Sequence, residues 1–260
     1  MIFETFELNK NPFQEGLEVE DIQLDPRFKL VLEPLLLLPN VGDIATLIGR
    51  TGTGKTTLLQ KLMDVWKVNH DVYYLHLGNL KGAGLFRAIL MTLGERPRMG
   101  KDRMFQQVYQ CLAKKQRCLC LLIDEAQLMD TASMTDLRLL GANPELRGRL
   151  KLVLSGQPLL LRTLQTETLT DLRERICMSL NLKSMTLPES HAYLEHRLKQ
   201  AGAENEIFDE AAIKLMYRHS EGVPRRINKV ALKAMMNAWA KKEATIDELT
   251  MKQACEADQS

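Results

Sequence analysis

The segment GRTGTGKT, residues Gly49–Thr56, constrains the fold of this chain more than any other. It follows an apolar run typical of a buried strand and precedes a leucine-rich pattern with helical spacing. Its glycines allow the backbone to bend tightly and turn N–H groups inward, and the start of the following helix adds donors for an anion. A glycine-rich turn without a ligand is the alternative, but the position between strand and helix favours a phosphate-binding loop.

This loop, called the P-loop below, predicts ATP and Mg²⁺ as ligands. The ammonium group of Lys55 would reach the β- and γ-phosphates, and the Thr56 hydroxyl would hold the metal ion. A large side chain within the loop would block the phosphates, which explains why its residues are small. The residues expected to contact the nucleotide are Gly49, Thr51, Gly52, Thr53, Gly54, Lys55, Thr56 and Thr57.

A pair of carboxylates ends a second apolar strand about seventy residues later. The segment RCLCLLIDEAQLM carries this pair as Asp124 and Glu125. Buried carboxylates are costly unless they serve a cation or accept hydrogen bonds. We expect Asp124 to act on Mg²⁺ through a water molecule and Glu125 to polarise the attacking water, which predicts hydrolysis in addition to binding. The alternative is that Asp124 caps the next helix.

Three further polar segments are candidates for the same site. Ser155 and Gln157 follow the strand LKLVL, where a polar side chain would lie beside the γ-phosphate; the alternative is an ordinary turn. Arg173 or Arg175 could enter a neighbouring subunit's site and stabilise transition-state charge, or be a solvated helix charge. Arg225 opens a helix after a Gly-Val-Pro turn, where it could contact the phosphates or only pack the helix start.

The order of apolar patterns predicts an α/β domain followed by a helical domain. Short apolar strands separated by helices favour an α/β domain with a parallel sheet covered on both faces. After about residue 187 only helical patterns follow. We therefore predict an N-terminal segment packing on the core at 1–40, an α/β ATPase domain at 41–185 and a helical lid domain at 186–260. Strands are predicted at 44–48, 71–77, 118–123, 150–154 and 176–182.

Composition excludes several classes of protein. The chain has 260 residues, 45% apolar and 26% charged, with a net charge of +2. No apolar run reaches the roughly 18 to 20 residues of a membrane span, and the N-terminus lacks a signal-peptide pattern, so we expect a cytoplasmic protein without membrane contact. Five cysteines argue against a disulfide scaffold. Cys118 and Cys120 are interpreted as structural residues that point to opposite faces of a strand.

With these segments in order, the chain resembles an AAA+ ATPase, and more narrowly the ExeA/GspA-like branch. The resemblance implies a P-loop RecA-like core, a helical lid, ATP bound between subunits, and a homo-oligomeric ring or filament. The chain departs from the usual family pattern at the first sensor, the polar residue beside the γ-phosphate, which is often an asparagine. Here Ser155 or Gln157 would fill that role. Arg175 is favoured over Arg173 as the arginine finger. The segments that carry the resemblance are residues 11–13, 49–59, 121–129, 137–140, 152–160, 172–176 and 222–228.

The branch contains transposition ATPases and ATPases of secretion or pilus assembly, and a basic segment of this chain favours the first kind. Residues 81–103 contain six basic and two acidic side chains, a balance of +4. In TnsC/TniB-type transposition ATPases, which the core resembles, this region contacts DNA, and such a basic turn would bind phosphates without reading bases. The alternative is a solvated helix pair. The candidate DNA-binding residues are Lys81, Arg96, Arg98, Lys101 and Arg103.

The leading hypothesis is an ATPase that assembles on double-stranded DNA, independently of sequence, and recruits or regulates a transposase together with a target-selection adaptor. The first alternative is an ExeA/GspA-like ATPase of a secretion or pilus-assembly system. The second is a binding module whose ATP controls assembly with negligible turnover.

Overall fold

The protein was analysed as a computed structural model that describes residues 2–14, 25–76, 84–142, 146 and 148–259. The chain forms two compact units. One comprises residues 28–182, and the other comprises residues 1–27 together with 183–260. Within the described ranges, no helix is both long and apolar enough to cross a membrane.

The first unit, called the sheet unit, is built on five parallel strands in the order β2-β3-β4-β1-β5. Every residue of β1, β3 and β4 is buried, as expected for inner parallel strands covered on both faces. The carboxyl ends of the strands meet at one edge of the sheet. The strands are β1 (Ile44–Ile48), β2 (Asp71–His76), β3 (Leu119–Asp124), β4 (Leu150–Gly156) and β5 (Ile176–Asn181).

Helices connect the strands of the sheet unit. α1 precedes the sheet, and its Leu35 and Leu38 are fully buried. α3 and α4 lie between β2 and β3 in sequence and contribute Phe86, Ile89 and Val108 to the core on one side of the sheet. The helices are α1 (Pro26–Val41), α2 (Lys55–Trp66), α3 (Gly84–Thr92), α4 (Lys101–Ala113), α5 (Thr131–Ala142), α6 (Leu159–Leu164) and α7 (Thr170–Glu174).

The second unit, called the helical unit, contains the helices that follow the sheet. Its first helix begins with a capping box, in which Thr186 and Glu189 bond each other's backbone N–H groups. Gly222 is needed before α10, because a Cβ there would lie 1.9 Å from the Met185 carbonyl oxygen. The helices after the sheet therefore agree with the helical patterns found in the sequence after about residue 187. The helices are α8 (Leu187–Gln200), α9 (Glu210–Ser220), α10 (Pro224–Lys241) and α11 (Glu248–Gln259).

The predicted N-terminal segment, residues 1–40, divides between the two units. Phe6, Leu8 and Phe13 are buried in the core of the helical unit. There the Arg197 guanidinium donates to the Pro12 carbonyl oxygen at 2.6 Å and fixes the chain. α1, by contrast, belongs to the sheet unit. The aromatic side chains of residues 2–14 are thus buried among the helices of the helical unit. Spacing of residues in the sequence does not reveal this packing, because the helices lie far away along the chain.

Candidate nucleotide-binding site

The P-loop joins β1 to α2 and needs glycine at defined places. Gly52 and Gly54 have φ angles of +82° and +102°, a left-handed conformation that glycine adopts without strain. A Cβ on Gly54 would lie 2.9 Å from Cζ of Phe28, and one on Gly49 would lie 2.7 Å from the Leu182 carbonyl oxygen. The conformation and the close contacts both exclude larger residues, so the loop keeps a shape that leaves its backbone accessible.

Lys55 is the first residue of α2, and its side chain folds back into the loop. The residue is only 5% exposed, and Nζ donates to the carbonyl oxygens of Gly49 at 3.0 Å and Arg50 at 3.2 Å. Thr53 is buried and donates its hydroxyl to the Arg50 oxygen at 2.8 Å. The ammonium group is thus held at the centre of the loop, next to the N–H groups at the start of α2, which have no acceptors within the helix.

Asp124 is a fully buried carboxylate at the end of β3 that gathers donors from three other elements. Its Oδ2 accepts from the Thr56 hydroxyl at 2.6 Å and from the Tyr74 hydroxyl at 3.1 Å. Its Oδ1 accepts from Ser155 Oγ at 2.9 Å and from the Glu125 N–H at 3.0 Å. These bonds compensate for the burial of the charge.

The contact between Thr56 and Asp124 fits a magnesium site. A hydroxyl and one carboxylate are hard oxygen ligands, and such a sparse set is typical of Mg²⁺ that is otherwise held by phosphates and water. Both residues lie where the P-loop and the carboxyl end of β3 meet. When bound, Mg²⁺ would supply positive charge that neutralises the phosphate oxygens.

Glu125 follows directly and adopts a left-handed backbone conformation, with φ of +56°. This conformation costs a residue with a side chain about 1 kcal/mol or more, and such strain clusters at functional sites. Its Oε2 accepts from Gln127 Nε2 at 2.5 Å, while Gln127 Oε1 accepts from the Gln157 N–H at 3.0 Å. A Cβ on Gly156 would lie 2.6 Å from Gln127 Oε1, so glycine there admits the amide. Gln127 therefore links the carboxylate of Glu125 to the end of β4.

The other predicted site residues are placed as follows. Ser155 is buried and donates its hydroxyl to Asp124. Gln157 contacts the site through its backbone N–H, which donates to Gln127 Oε1. Arg173 is exposed and donates to the Gln165 carbonyl oxygen at 3.4 Å, and Arg175 is exposed beside α5. Arg225 lies in the first turn of α10 in the helical unit. Three roles remain predictions: the first sensor, the arginine finger and the contact of Arg225 with the phosphates.

Sequence reasoning missed three residues that the fold brings to this site, Tyr74, His76 and Gln127; His76 Nδ1 lies 3.9 Å from Asp124 Oδ2. Burial, and then the adjacent Asp124 carboxylate, raise the pKa of Tyr74 well above its ordinary value, so its hydroxyl is a donor at neutral pH. Tyr74 lies near the carboxyl end of β2, beside Leu122 of β3. The sequence offered signals for two of these residues. One is a tyrosine hydroxyl near the end of a predicted strand, and the other is an amide side chain two residues after Glu125.

The basic turn between α3 and α4 comprises residues 93–100. The Gln107 side chain accepts from the Arg98 N–H and donates to the Arg96 carbonyl oxygen, which holds the turn. The side chains of Arg96, Arg98 and Arg103 are exposed. Lys101 instead pairs at 2.9 Å with Asp136, whose side chain is 6% exposed. Lys81, also predicted to bind DNA, lies outside the described residues.

The parallel sheet, the P-loop and the acidic end of β3 define a P-loop nucleotide-binding domain followed by helices, the AAA+ fold. A family model described as an AAA domain matches residues 41–165 of this chain. The predicted α/β fold class with a C-terminal helical region is therefore confirmed.

Known proteins resemble most of the chain. General secretion pathway protein A of Aeromonas hydrophila is 28% identical over 249 residues, which cover 93% of this chain and 45% of that protein, so the chain spans less than half of that relative. The Aeropyrum pernix ORC1 protein in complex with DNA has a TM-score of 0.73 at 17% identity, covering 96% of this chain and 69% of that one. The Aeropyrum pernix ORC2 protein, solved as ADPNP–ADP complexes, has a TM-score of 0.69 at 18% identity, covering 95% and 71%. At these identities the solved structures show the shared fold alone.

Proposed function

We propose that the protein binds ATP with Mg²⁺ and hydrolyses it to ADP and phosphate. The observation that carries this proposal is the direct contact of Thr56 with Asp124, with Glu125 at the same strand end. The AAA domain match and the nucleotide-bound ORC2 relative support it. The test is a phosphate-release assay on the purified chain with ATP, with and without Mg²⁺.

Each residue would have a distinct part in this reaction. Lys55 would donate to the β- and γ-phosphates in place of the loop carbonyl oxygens that it now contacts, and Thr56 with Asp124 would hold the metal ion. Glu125 would accept a hydrogen bond from the attacking water and polarise it. An arginine from a neighbouring subunit, Arg175 in our assignment, would stabilise the charge that develops on the phosphoryl oxygens.

The bridge made by Gln127 leads to a prediction about turnover. Gln127→Ala removes the donor that orients the Glu125 carboxylate, so we expect kcat to fall about tenfold with little change in nucleotide affinity, since a partner that orients a reacting group acts mainly in the transition state. Steady-state kinetics and nucleotide titration measure the two separately. Gln106→Ala, at an exposed position on α4, is the control. An unchanged or increased kcat would show that the bridge does not position the carboxylate for reaction.

We further propose that ATP assembles the protein on double-stranded DNA and that it recruits or regulates a transposase with a target-selection adaptor. The exposed side chains of Arg96, Arg98 and Arg103 support a phosphate-binding turn. The ORC1 relative was solved in complex with DNA. Electron microscopy of the chain with duplex DNA and a slowly hydrolysed ATP analogue tests this assembly; particles that remain single subunits would exclude it.

Charge reversal of these arginines is expected to weaken binding to DNA and to lower its dependence on salt. In a variant with Arg96, Arg98 and Arg103 all changed to glutamate, we expect the slope of log K against log salt to fall by about 3, because each phosphate contact contributes roughly one unit. Lys101 is left unchanged, since reversing it would leave the buried Asp136 without its partner. Fluorescence anisotropy with labelled duplex across a salt series measures the slope.

The control for this variant carries the same change in net charge elsewhere. Lys199, Lys214 and Lys252, exposed on the helical unit, are changed to glutamate together. If this control loses as much affinity as the turn variant, net charge rather than the turn determines binding, and the DNA contact lies elsewhere.

A secretion or pilus-assembly ATPase is the second candidate, favoured by the 28% identity to General secretion pathway protein A. Such a protein would act on protein partners. ATP-dependent assembly without any affinity for duplex DNA at low salt would favour it over the transposition role.

A further inference from the structure

A second cluster of potential ligands lies on the same sheet face as Asp124, at the opposite end of β3. His70 closes the connection between α2 and β2, and Cys118 and Cys120 lie at the amino end of β3. One ligand atom from each residue lies within 4.8 Å of the other two. The expectation that the two cysteines face opposite sides was wrong, because residues i and i+2 of a strand share a face.

His70 presents a ring nitrogen that has no partner within the protein. Its Nδ1 is buried and makes no hydrogen bond in the described part of the chain. The ring packs edge-on against Trp66 at a centroid distance of 6.3 Å, which fixes its orientation. Buried polar atoms without partners are uncommon and costly, and coordination of a cation would satisfy this one.

The Cys118 thiol makes a contact that a metal ion could replace. Its Sγ donates to the Arg149 carbonyl oxygen at 3.3 Å. Because a thiol loses its proton when it binds a metal ion, this contact would be exchanged for a bond from the thiolate to the ion.

The positive charge of Lys151 does not oppose a cation here, because it is matched locally. Its Nζ contacts Asp43 Oδ1 at 3.0 Å and the Gly42 carbonyl oxygen at 2.7 Å. Two cysteine thiolates would in turn balance the charge of one divalent ion. The cluster would therefore be close to neutral when occupied.

We propose that His70, Cys118 and Cys120 bind one zinc ion. One imidazole nitrogen with two thiolates is a donor set that Zn²⁺ favours. Tetrahedral zinc with Zn–S bonds of about 2.3 Å places its sulfur ligands roughly 3.8 Å apart, which the observed separations allow with small movements. Binding releases the two thiol protons to solvent, and a water molecule takes the fourth position.

The ion would tie the connection before β2 to the first residues of β3, at the end of the sheet away from the P-loop. The bound ion would stabilise the folded protein, since any ligand that binds only the folded state raises the temperature of unfolding. The proposal does not depend on nucleotide binding. Lys55→Ala, which removes the P-loop cation, should leave metal binding unchanged and so separates this proposal from the proposed ATPase activity.

Cobalt(II) is a spectroscopic probe for this site. Titrating Co²⁺ into the reduced protein without nucleotide should produce thiolate-to-cobalt absorption in the near ultraviolet, which saturates at one equivalent and disappears when Zn²⁺ is added. The oxygen ligands at Thr56 and Asp124 cannot give this band. Cys118→Ser should weaken cobalt affinity by more than about a hundredfold, since losing even a supporting partner of a ligand costs ten- to a hundredfold.

Two further variants complete the test. Cys177→Ser removes an exposed thiol outside the cluster and should leave the titration unchanged. His70→Gln probes the third ligand if Cys118→Ser fails to fold, and circular dichroism checks the fold of each variant. A wild-type protein without the near-ultraviolet band, or a cobalt affinity that is unchanged in both folded cluster variants, would overturn the proposal.

Discussion

Replacing Glu125 with glutamine is expected to lower the rate of ATP hydrolysis by about a hundredfold or more, while ATP binding is retained. The amide keeps the shape of the side chain but cannot polarise the attacking water as a carboxylate does, and such a base contributes about 10² to 10⁴ to the rate. The left-handed backbone at Glu125 and the bond from Gln127 position this group beside Asp124. Single-turnover hydrolysis and nucleotide titration separate the two effects.

The same variant should accumulate as the ATP-bound assembly. If ATP promotes association of subunits, slow hydrolysis prolongs the associated state, and size-exclusion chromatography with ATP should show a larger species than the wild-type protein forms. Glu174→Gln, at an exposed position on α7, makes the same chemical change away from the site and should behave as wild type. Normal turnover in Glu125→Gln would mean that another group activates the water.

Replacing Lys55 with alanine should weaken ATP binding by roughly a hundredfold. A hydrogen bond that involves a charged group contributes up to about 3 kcal/mol, and Lys55 is the buried cation at the centre of the P-loop. The free protein should keep its fold, because the lysine lies within the P-loop, where its Nζ donates to the carbonyl oxygens of Gly49 and Arg50. Isothermal titration with ATP and Mg²⁺ measures the affinity, and thermal unfolding checks the fold.

Lys67→Ala is the matched control for this variant. Lys67 follows the last residue of α2, is 53% exposed and forms a long, solvated ion pair with Asp64 at 3.9 Å. Its loss should leave ATP affinity within about twofold, since solvated pairs contribute little. Retained affinity in Lys55→Ala would place the triphosphate somewhere other than the P-loop.

Much of the fold could be predicted because its signals are local. β1 occupies the residues that its apolar run predicted, and β5 ends one residue before its predicted end. Strand order could not be predicted, because parallel strands adjacent in space are distant in sequence, as β1 between β4 and β5 shows. The packing of Phe6 and Phe13 in the helical unit was missed for the same reason.

The candidate site shows the same division between local and distant relationships. The sequence indicated Thr56 and Asp124 as a metal pair because each belongs to a recognisable local pattern, and the structure places them in contact. Whether Tyr74 would also reach Asp124 could not be decided from the sequence, since that contact depends on the register of β2 against β3. Similarly, the pairing of Lys101 with Asp136 joins separate helices, so a buried carboxylate already matches the charge of that lysine.

The sequence by itself determined a strand, glycine loop and helix that can hold a triphosphate, and a strand ending in two carboxylates. These follow from neighbouring residues, whose conformational limits and spacing are local properties of the chain. Only the tertiary structure decided which side chains complete the site and which meet away from it, such as Gln127 with the end of β4, and His70 with Cys118. The physical reason is that hydrogen bonds and ligand clusters form across strands and helices, so they depend on strand order, register and packing of the whole unit.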